Sequence, residues 1–345
     1  MKNFALFSLV FLLFIAGCAP ALKQVEPTLT PSPTITNTPT VTPSPTRTPL
    51  PTISPLVEQL KPGQVVMHPA TENNLYVFYS YFPRSAVREK DIVVGVWPHG
   101  GAMPNNDYEA HKEQAKNTLS WLSSYAEKYK TPLVVVAIPR VEELYVHTMP
   151  VGTFTTSNEF LKRPDLKLIE AVWNQYIPSL QQAGFNVQNK VFMMGFSSPG
   201  TFTFRFSILH PELISAAWLG SSSFAPLPTA EIFGQPADYP FGIRNLEQLS
   251  GSPFNLDDYK KISFLIVTGE NDNKENNVTI SWYSNKEFIK KNMGETEPER
   301  IKFFYDYLVS IGVPAEFHLY PKIAHEITEE MMKDAFDFLV THSQP

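Results

Sequence analysis

Ser197 lies in the string Gly195-Phe196-Ser197-Ser198-Pro199-Gly200, where the apolar run VFMMGF gives out. A serine hydroxyl is a poor nucleophile unless a base takes its proton, so the search turns to histidines and carboxylates in comparable places. Asp272 follows Gly269 by three residues, at the end of the run ISFLIVTG, and His325 follows the run AEFHLYP, just before a final helical pattern. Hydroxyl, imidazole and carboxylate are the set that acyl transfer through a covalent intermediate employs. Other assignments exist for each member. Ser198 has the bulky Phe196 two places before it, Glu270 and Glu275 flank Asp272, and His318 falls inside a strand pattern, where it should alternate into sheet packing. His210 and His342 stand at helix ends, where histidines commonly cap. The string HEITE carries Glu329 where the zinc motif H-E-x-x-H needs its second histidine, so zinc chemistry is not expected, nor is any other cofactor.

The elements that must position these residues are legible as periodicity. NLYVFYSYF (74–82) alternates and predicts a half-buried strand, while DIVVGVW (91–97), PLVVVAIP (132–139), KVFMMGF (190–196), ISAAWLG (214–220) and ISFLIVTG (262–269) are continuous apolar runs, as in strands buried on both faces. AEFHLYP (315–321) closes the strand set. Helical spacing appears over 108–129, with Ala115, Leu119, Leu122 and Tyr125 on one side, and again over 165–184, after 196 as far as His210, over 299–312 and over 327–342. In the second of these, Pro178 should kink the helix and Gly184 should end it. Strands alternating with helices predict an α/β fold, a mostly parallel central sheet with helices on both faces. Residues 221–261, after strand six of the fold, break the alternation with a Ser-, Pro-, Phe- and Gly-rich stretch. Irregular insertions of this length are usually functional, and this one reads equally as a cap over the site or as a surface excursion.

The string around Ser197 resembles the G-x-S-x-G nucleophile elbow of the α/β-hydrolase superfamily. Gly195 matches the motif and Pro199 departs from it, since a glycine is usual there; proline suits the first turn of a helix, and Gly200 lies one place on. PHGGAM, with His99, Gly100, Gly101 and Ala102, resembles the family's HGG segment. That resemblance implies an oxyanion hole built from the backbone N–H of Ser198 together with Gly101 or Ala102, with His99 orienting the loop. It also implies a triad of Ser197, Asp272 and His325, in the chain order nucleophile, acid, base. The likeness spans roughly residues 65 to 342. The HGG loop and domain length resemble secreted esterases of the feruloyl-esterase and polyhydroxybutyrate-depolymerase group, which implies a small-molecule or polymer ester as substrate. Prolyl-oligopeptidase-like peptidases share the core but usually carry a propeller domain ahead of it, and no such domain fits before residue 65. A catalytically inactive binding module on the same fold is the remaining alternative, and Pro199 is its support. Phe196, Phe202, Phe224 and Trp218 are candidates to line an acyl pocket, although core packing accounts for such residues more often.

Composition bounds the partners. The chain has 345 residues, 43% hydrophobic and 18% charged, with a formal net charge of −6 and no long basic run. Nucleic acid is therefore not expected, because phosphate binding needs clustered Lys and Arg. Cys18 is the single cysteine, which excludes a disulfide within the chain. It ends the segment MKNFALFSLVFLLFIAGC, in which Lys2 precedes an apolar stretch too short to span a bilayer. Ile15-Ala16-Gly17-Cys18 resembles the bacterial lipobox, which implies lipidation of Cys18 and a bacterial cell membrane as anchor, with residues 1–18 as signal peptide. Residues 19–55 are Pro/Thr-rich, with 19 Pro or Thr among residues 26–55. Proline fixes φ and removes donors, so this segment is expected to be a disordered tether able to extend about 90 Å. It would carry a domain over 56–345 outside the cytoplasm.

Overall fold

The computed structural model describes residues 60–86, 91–100, 106–141, 144–222, 226–272 and 286–343. All of them fall within one unit, Pro51–Pro345. The signal segment, Cys18 and the tether lie outside the described residues.

Ten strands are described: β1 (Val65–His68), β2 (Phe78–Tyr81), β3 (Gly95–Trp97), β4 (Leu133–Val136), β5 (Val191–Phe196), β6 (Ile214–Gly220), β7 (Glu231–Ile232), β8 (Gln235–Pro236), β9 (Ser263–Gly269) and β10 (Ala315–Tyr320). Eight form one sheet in the order β1-β2-β4-β3-β5-β6-β9-β10, and β7 and β8 make a separate small hairpin. Pairing from β4 through β10 is parallel, while β1 and β2 run antiparallel at one edge. The continuous apolar runs are the central strands. β4, as LVVV, and β5, as VFMMGF, are buried at every position, because helices cover both faces.

The covering helices segregate by face. On one face lie α1 (Tyr108–Tyr129) and α6 (Glu329–His342). α1 turns Ala115, Leu119, Leu122 and Ala126 inward, and α6 turns Met331, Met332, Ala335, Phe336 and Leu339. They meet through Tyr125 stacked on Phe336 at 5.2 Å and a Tyr129–Asp337 hydrogen bond of 2.8 Å. On the other face lie α2 (Pro164–Ile169), α3 (Ile177–Gln182), α4 (Ser198–Leu209) and α5 (Glu297–Ser310). α4 is buried from Pro199 to Ile208, as expected of a helix that is apolar nearly all round.

Two expectations are corrected. β2 is not half-buried: all four of its residues are buried, because it lies inside the sheet between β1 and β4, with both faces covered. β1 itself escapes periodicity, being four residues ended by Pro69. Pro178 lies within a helical stretch that continues on both sides of it. Residues Glu170–Tyr176 adopt π-helical turns between α2 and α3, and the proline sits in the first turn of α3, where its missing N–H costs least. Gly184 does end this stretch, at φ 86°. His318 does not alternate into packing: β10 is the sheet edge, and the imidazole is partly exposed, 3.7 Å from Glu316.

The insertion holds short regular pieces, the β7–β8 hairpin and helical turns at Leu246–Ser250 and Leu256–Tyr259. It packs on the segment after β4. The Tyr239 hydroxyl donates to the Met149 carbonyl at 2.6 Å, and its ring lies 5.4 Å from Phe154. The buried Arg205 of α4 stands over the same tyrosine ring at 5.8 Å and donates to the Thr148 carbonyl. No helix of the described residues is long and apolar enough to cross a membrane.

Candidate active site

In a parallel sheet, ligands bind beyond the carboxyl ends of the strands. β5, β9 and β10 end at that edge with Ser197, Asp272 and His325 just beyond them. Ser197 joins β5 to α4 with φ 59° and ψ −123°, a conformation L-residues seldom adopt. The turn is held on both sides. The Ser197 N–H donates to the Gly220 carbonyl at 2.7 Å, and the Ser197 carbonyl accepts from the Thr201 N–H at 2.9 Å and from Ser222 Oγ at 3.2 Å. Although Ser197 immediately precedes α4, its side chain makes no capping bond to that helix.

The glycines explain how so sharp a turn fits. A Cβ on Gly195 would stand 2.3 Å from the Pro199 carbonyl carbon and 2.5 Å from the Gly200 nitrogen. A Cβ on Gly200 would stand 2.8 Å from the Gly195 oxygen. Strand end and helix start therefore touch backbone to backbone, and both glycines are required. Pro199 enters this contact through its backbone and sits in the first helical turn, where it forfeits no needed donor. The departure from the usual glycine is absorbed by Gly200.

Asp272 and His325 are brought together. The imidazole Nδ1 lies 2.9 Å from Oδ2 and 3.1 Å from Oδ1 of Asp272, whose side chain is fully buried, while the His325 side chain keeps 24% of its exposure. Their loops are stitched to each other: Glu270 N–H donates to the Tyr320 carbonyl and Asn271 N–H to the Ile323 carbonyl, both at 2.8 Å. Gly269 permits this approach, since a Cβ there would stand 2.3 Å from the Ile323 oxygen. The link to the serine turn is Phe196, whose ring lies 5.0 Å from the His325 ring. Phe196, Phe202 and Trp218 are all buried, so they are core, with Phe196 also touching the site. Phe224 lies outside the described residues.

Gly101 and Ala102 lie outside the described residues, as does Glu275. His99 just before them is fully buried, its Nδ1 2.6 Å from the Gly100 carbonyl. Burial holds its imidazole down at about 4, so at neutral pH the ring is uncharged and its Nδ1–H donates to that carbonyl. Its ring meets that of His147 at 5.4 Å, and His147 is likewise driven down by burial.

One residue near the site escaped sequence reasoning. A carboxylate oxygen of Glu297 lies within 4.8 Å of both an Asp272 oxygen and a His325 ring nitrogen. Glu297 is the first residue of α5, whose start is fixed by a capping box between Thr296 and Glu299. That T-x-x-E pattern signals the helix start, but nothing in the sequence places it beside the histidine. These three residues are also the one group among the described residues whose ligating atoms cluster so closely. Within that group both Asp272 oxygens engage the His325 Nδ1.

No family model matches the sequence, and a search of curated proteins gives no match. Solved structures do resemble it. A poly(aspartic acid) hydrolase-1 from Sphingomonas sp. KT-1 superposes with a TM-score of 0.57 at 16% identity, over 81% of this chain and 99% of its own. LpqC, a poly(3-hydroxybutyrate) depolymerase from Bordetella parapertussis, gives 0.54 at 15% identity, over 84% and 95%. With this sheet order and these neighbours, the fold is that of the α/β-hydrolases.

Proposed function

We propose, taking the α/β-hydrolase fold as premise, that this chain is a serine hydrolase of carboxylic esters, with Ser197 as nucleophile, His325 as base and Asp272 as the acid behind it. The observation that carries the reading is the positive-φ Ser197 at the end of β5, whose chain neighbour Phe196 lies 5.0 Å, ring to ring, from a His325 hydrogen-bonded to a buried carboxylate. Fold alone decides no function; that local constellation does the arguing.

The chemistry follows from the groups. His325 removes the Ser197 proton as Oγ attacks the acyl carbon, and Asp272 fixes the tautomer by accepting the Nδ1 proton in a hydrogen bond. The carbonyl oxygen becomes an oxyanion, which the backbone N–H of Ser198 and one from Gly101 or Ala102 receive, each donor worth about 3 kcal/mol of barrier. His325 then protonates the leaving alcohol, and water, activated by the same imidazole, releases the acid and restores Ser197. One structural neighbour is named for a polyester and the other for poly(aspartic acid), a polyamide, which puts polymer esters beside small ones among the substrates to test and keeps amides as the comparison. Cys18 is the proposed lipidation site, with residues 19–55 as tether and a location outside the cytoplasm, on the strength of the lipobox-like sequence. The insertion is proposed to cover the site.

The experiment compares aryl esters of graded acyl length with aminoacyl anilides. Esters should give the higher kcat/KM, with Ser197→Ala lowering it by at least about 10³-fold. Better turnover of anilides would make the chain a peptidase, and an unchanged rate in Ser197→Ala would remove the serine from the mechanism. For the anchor, Cys18→Ser should move the chain from the membrane to the soluble fraction; retention on the membrane would refute lipidation there.

A further inference from the structure

The triad as written has one acid, and the structure places two carboxylates beside the histidine. We propose that Glu297 is a second acid of this site, a positioning residue that shares with Asp272 the holding of the His325 imidazole and the stabilisation of its cationic form. The inference rests on the reading of His325 as the catalytic base.

Three observations support it. One oxygen of Glu297, one of Asp272 and one ring nitrogen of His325 lie within 4.8 Å of one another, so the Glu297 charge acts on the imidazole at short range. Glu297 opens α5, a helix running to Ser310, and a carboxylate in the first turn is favoured by the unsatisfied N–H groups and the positive end of the helix. The remaining charges of that turn are committed elsewhere. Glu299 accepts from the Glu295 and Thr296 N–H groups at 2.8 and 3.0 Å, and the buried Arg300 donates to the Gly294 and Glu295 carbonyls at 3.1 and 2.8 Å. Arg300 also feels the Glu297, Glu299 and Glu295 charges, so a cation stands behind the second acid.

Besides Asp272 and Glu297, the described segments that meet at His325 carry Glu270, which accepts from the Lys322 N–H at 3.0 Å, Lys322 itself and the exposed Glu326, while Glu295, Glu299 and Arg300 lie about Glu297. From β5 comes only the uncharged ring of Phe196. Both close partners are carboxylates, and both favour the imidazolium that forms as Ser197 loses its proton.

The test has two arms. In Ser197→Ala, where no turnover intervenes, His325 is titrated by NMR with and without Glu297→Gln. A lost carboxylate makes the imidazolium less favourable, so the midpoint should fall by about 0.5–1 pH unit. In the chain with Ser197 present, the acid limb of kcat/KM for an aryl ester should move down by the same amount, and Glu297→Asp should restore part of it. Glu297→Gln should also cost more in an Asp272→Asn background than alone, about a hundredfold against about tenfold, since each acid covers for the other. An unmoved His325 midpoint, with melting temperature retained, overturns the role of Glu297 whatever the enzyme does. A moved midpoint together with undiminished ester hydrolysis in Ser197→Ala leaves Glu297 in place and overturns the serine mechanism instead.

Discussion

At the scale of single residues, the site is set by atoms that are missing. Gly195 and Gly200 let the strand end and the helix start touch backbone to backbone, and Gly269 lets the loop carrying His325 lie against the one carrying Asp272. Gly269→Ala is the sharpest probe, because its Cβ would meet the Ile323 and Ala324 carbonyl oxygens at 2.3 and 2.6 Å, and neither is the end of a flexible side chain. The histidine loop must move, and a displacement near 1 Å costs about a hundredfold in rate. We expect kcat/KM to fall by about that factor in protein that still shows a folded circular dichroism spectrum; a rate within twofold of wild type would contradict this account of the loop. That Ser197, Asp272 and His325 follow strands was legible, because each comes after a recognisable apolar run; grouping them as a set came from the resemblance to the nucleophile elbow. Glu297 was not, because its place depends on how α5 approaches β9, and no short-range pattern records that.

At the scale of elements, a buried ionic staple ties three segments on the α2 face of the sheet. Asp165, in the first turn of α2, accepts Arg163 Nη2 at 2.6 Å and Nε at 3.0 Å, and lies 2.9 Å from Nε2 of His210 at the end of α4. Arg163 Nη1 reaches the Ser250 carbonyl of the insertion at 3.1 Å. Burial pushes the Asp165 carboxyl up, but the hydrogen bonds and charges of His210 and Arg163 outweigh it and hold it at about 2, below its ordinary 3.8. A depressed carboxylate stabilises the fold above its unfolded value and loses that stability as pH falls through the folded one. The contribution, about 2 kcal/mol, is therefore complete above about pH 4 and gone by about pH 2. Asp165→Asn should melt below wild type at neutral pH, with the gap closing between pH 4 and 2; a gap independent of pH would refute the staple. Sequence periodicity found α1, α4, α5 and α6 to within a few residues, since each has one regular apolar face or an unbroken apolar run. It missed β1, which is four residues long, and the π-helical turns just ahead of Pro178.

At the scale of the whole molecule, the order of apolar runs was enough to give a parallel sheet, because strands buried on both faces need no alternation to be seen. What it could not give was the antiparallel edge of β1 and β2, or the burial of β2 that this edge brings about. The fold then places three strand ends, distant in sequence, along one rim, and the proposal stands on Ser197 being the group that reacts there. The direct measurement is to treat the chain with a fluorophosphonate and locate the adduct by peptide mass spectrometry. The account predicts one adduct, on Ser197, absent from Ser197→Ala and strongly slowed in His325→Ala. An adduct on another residue, or none on a folded chain, would contradict it.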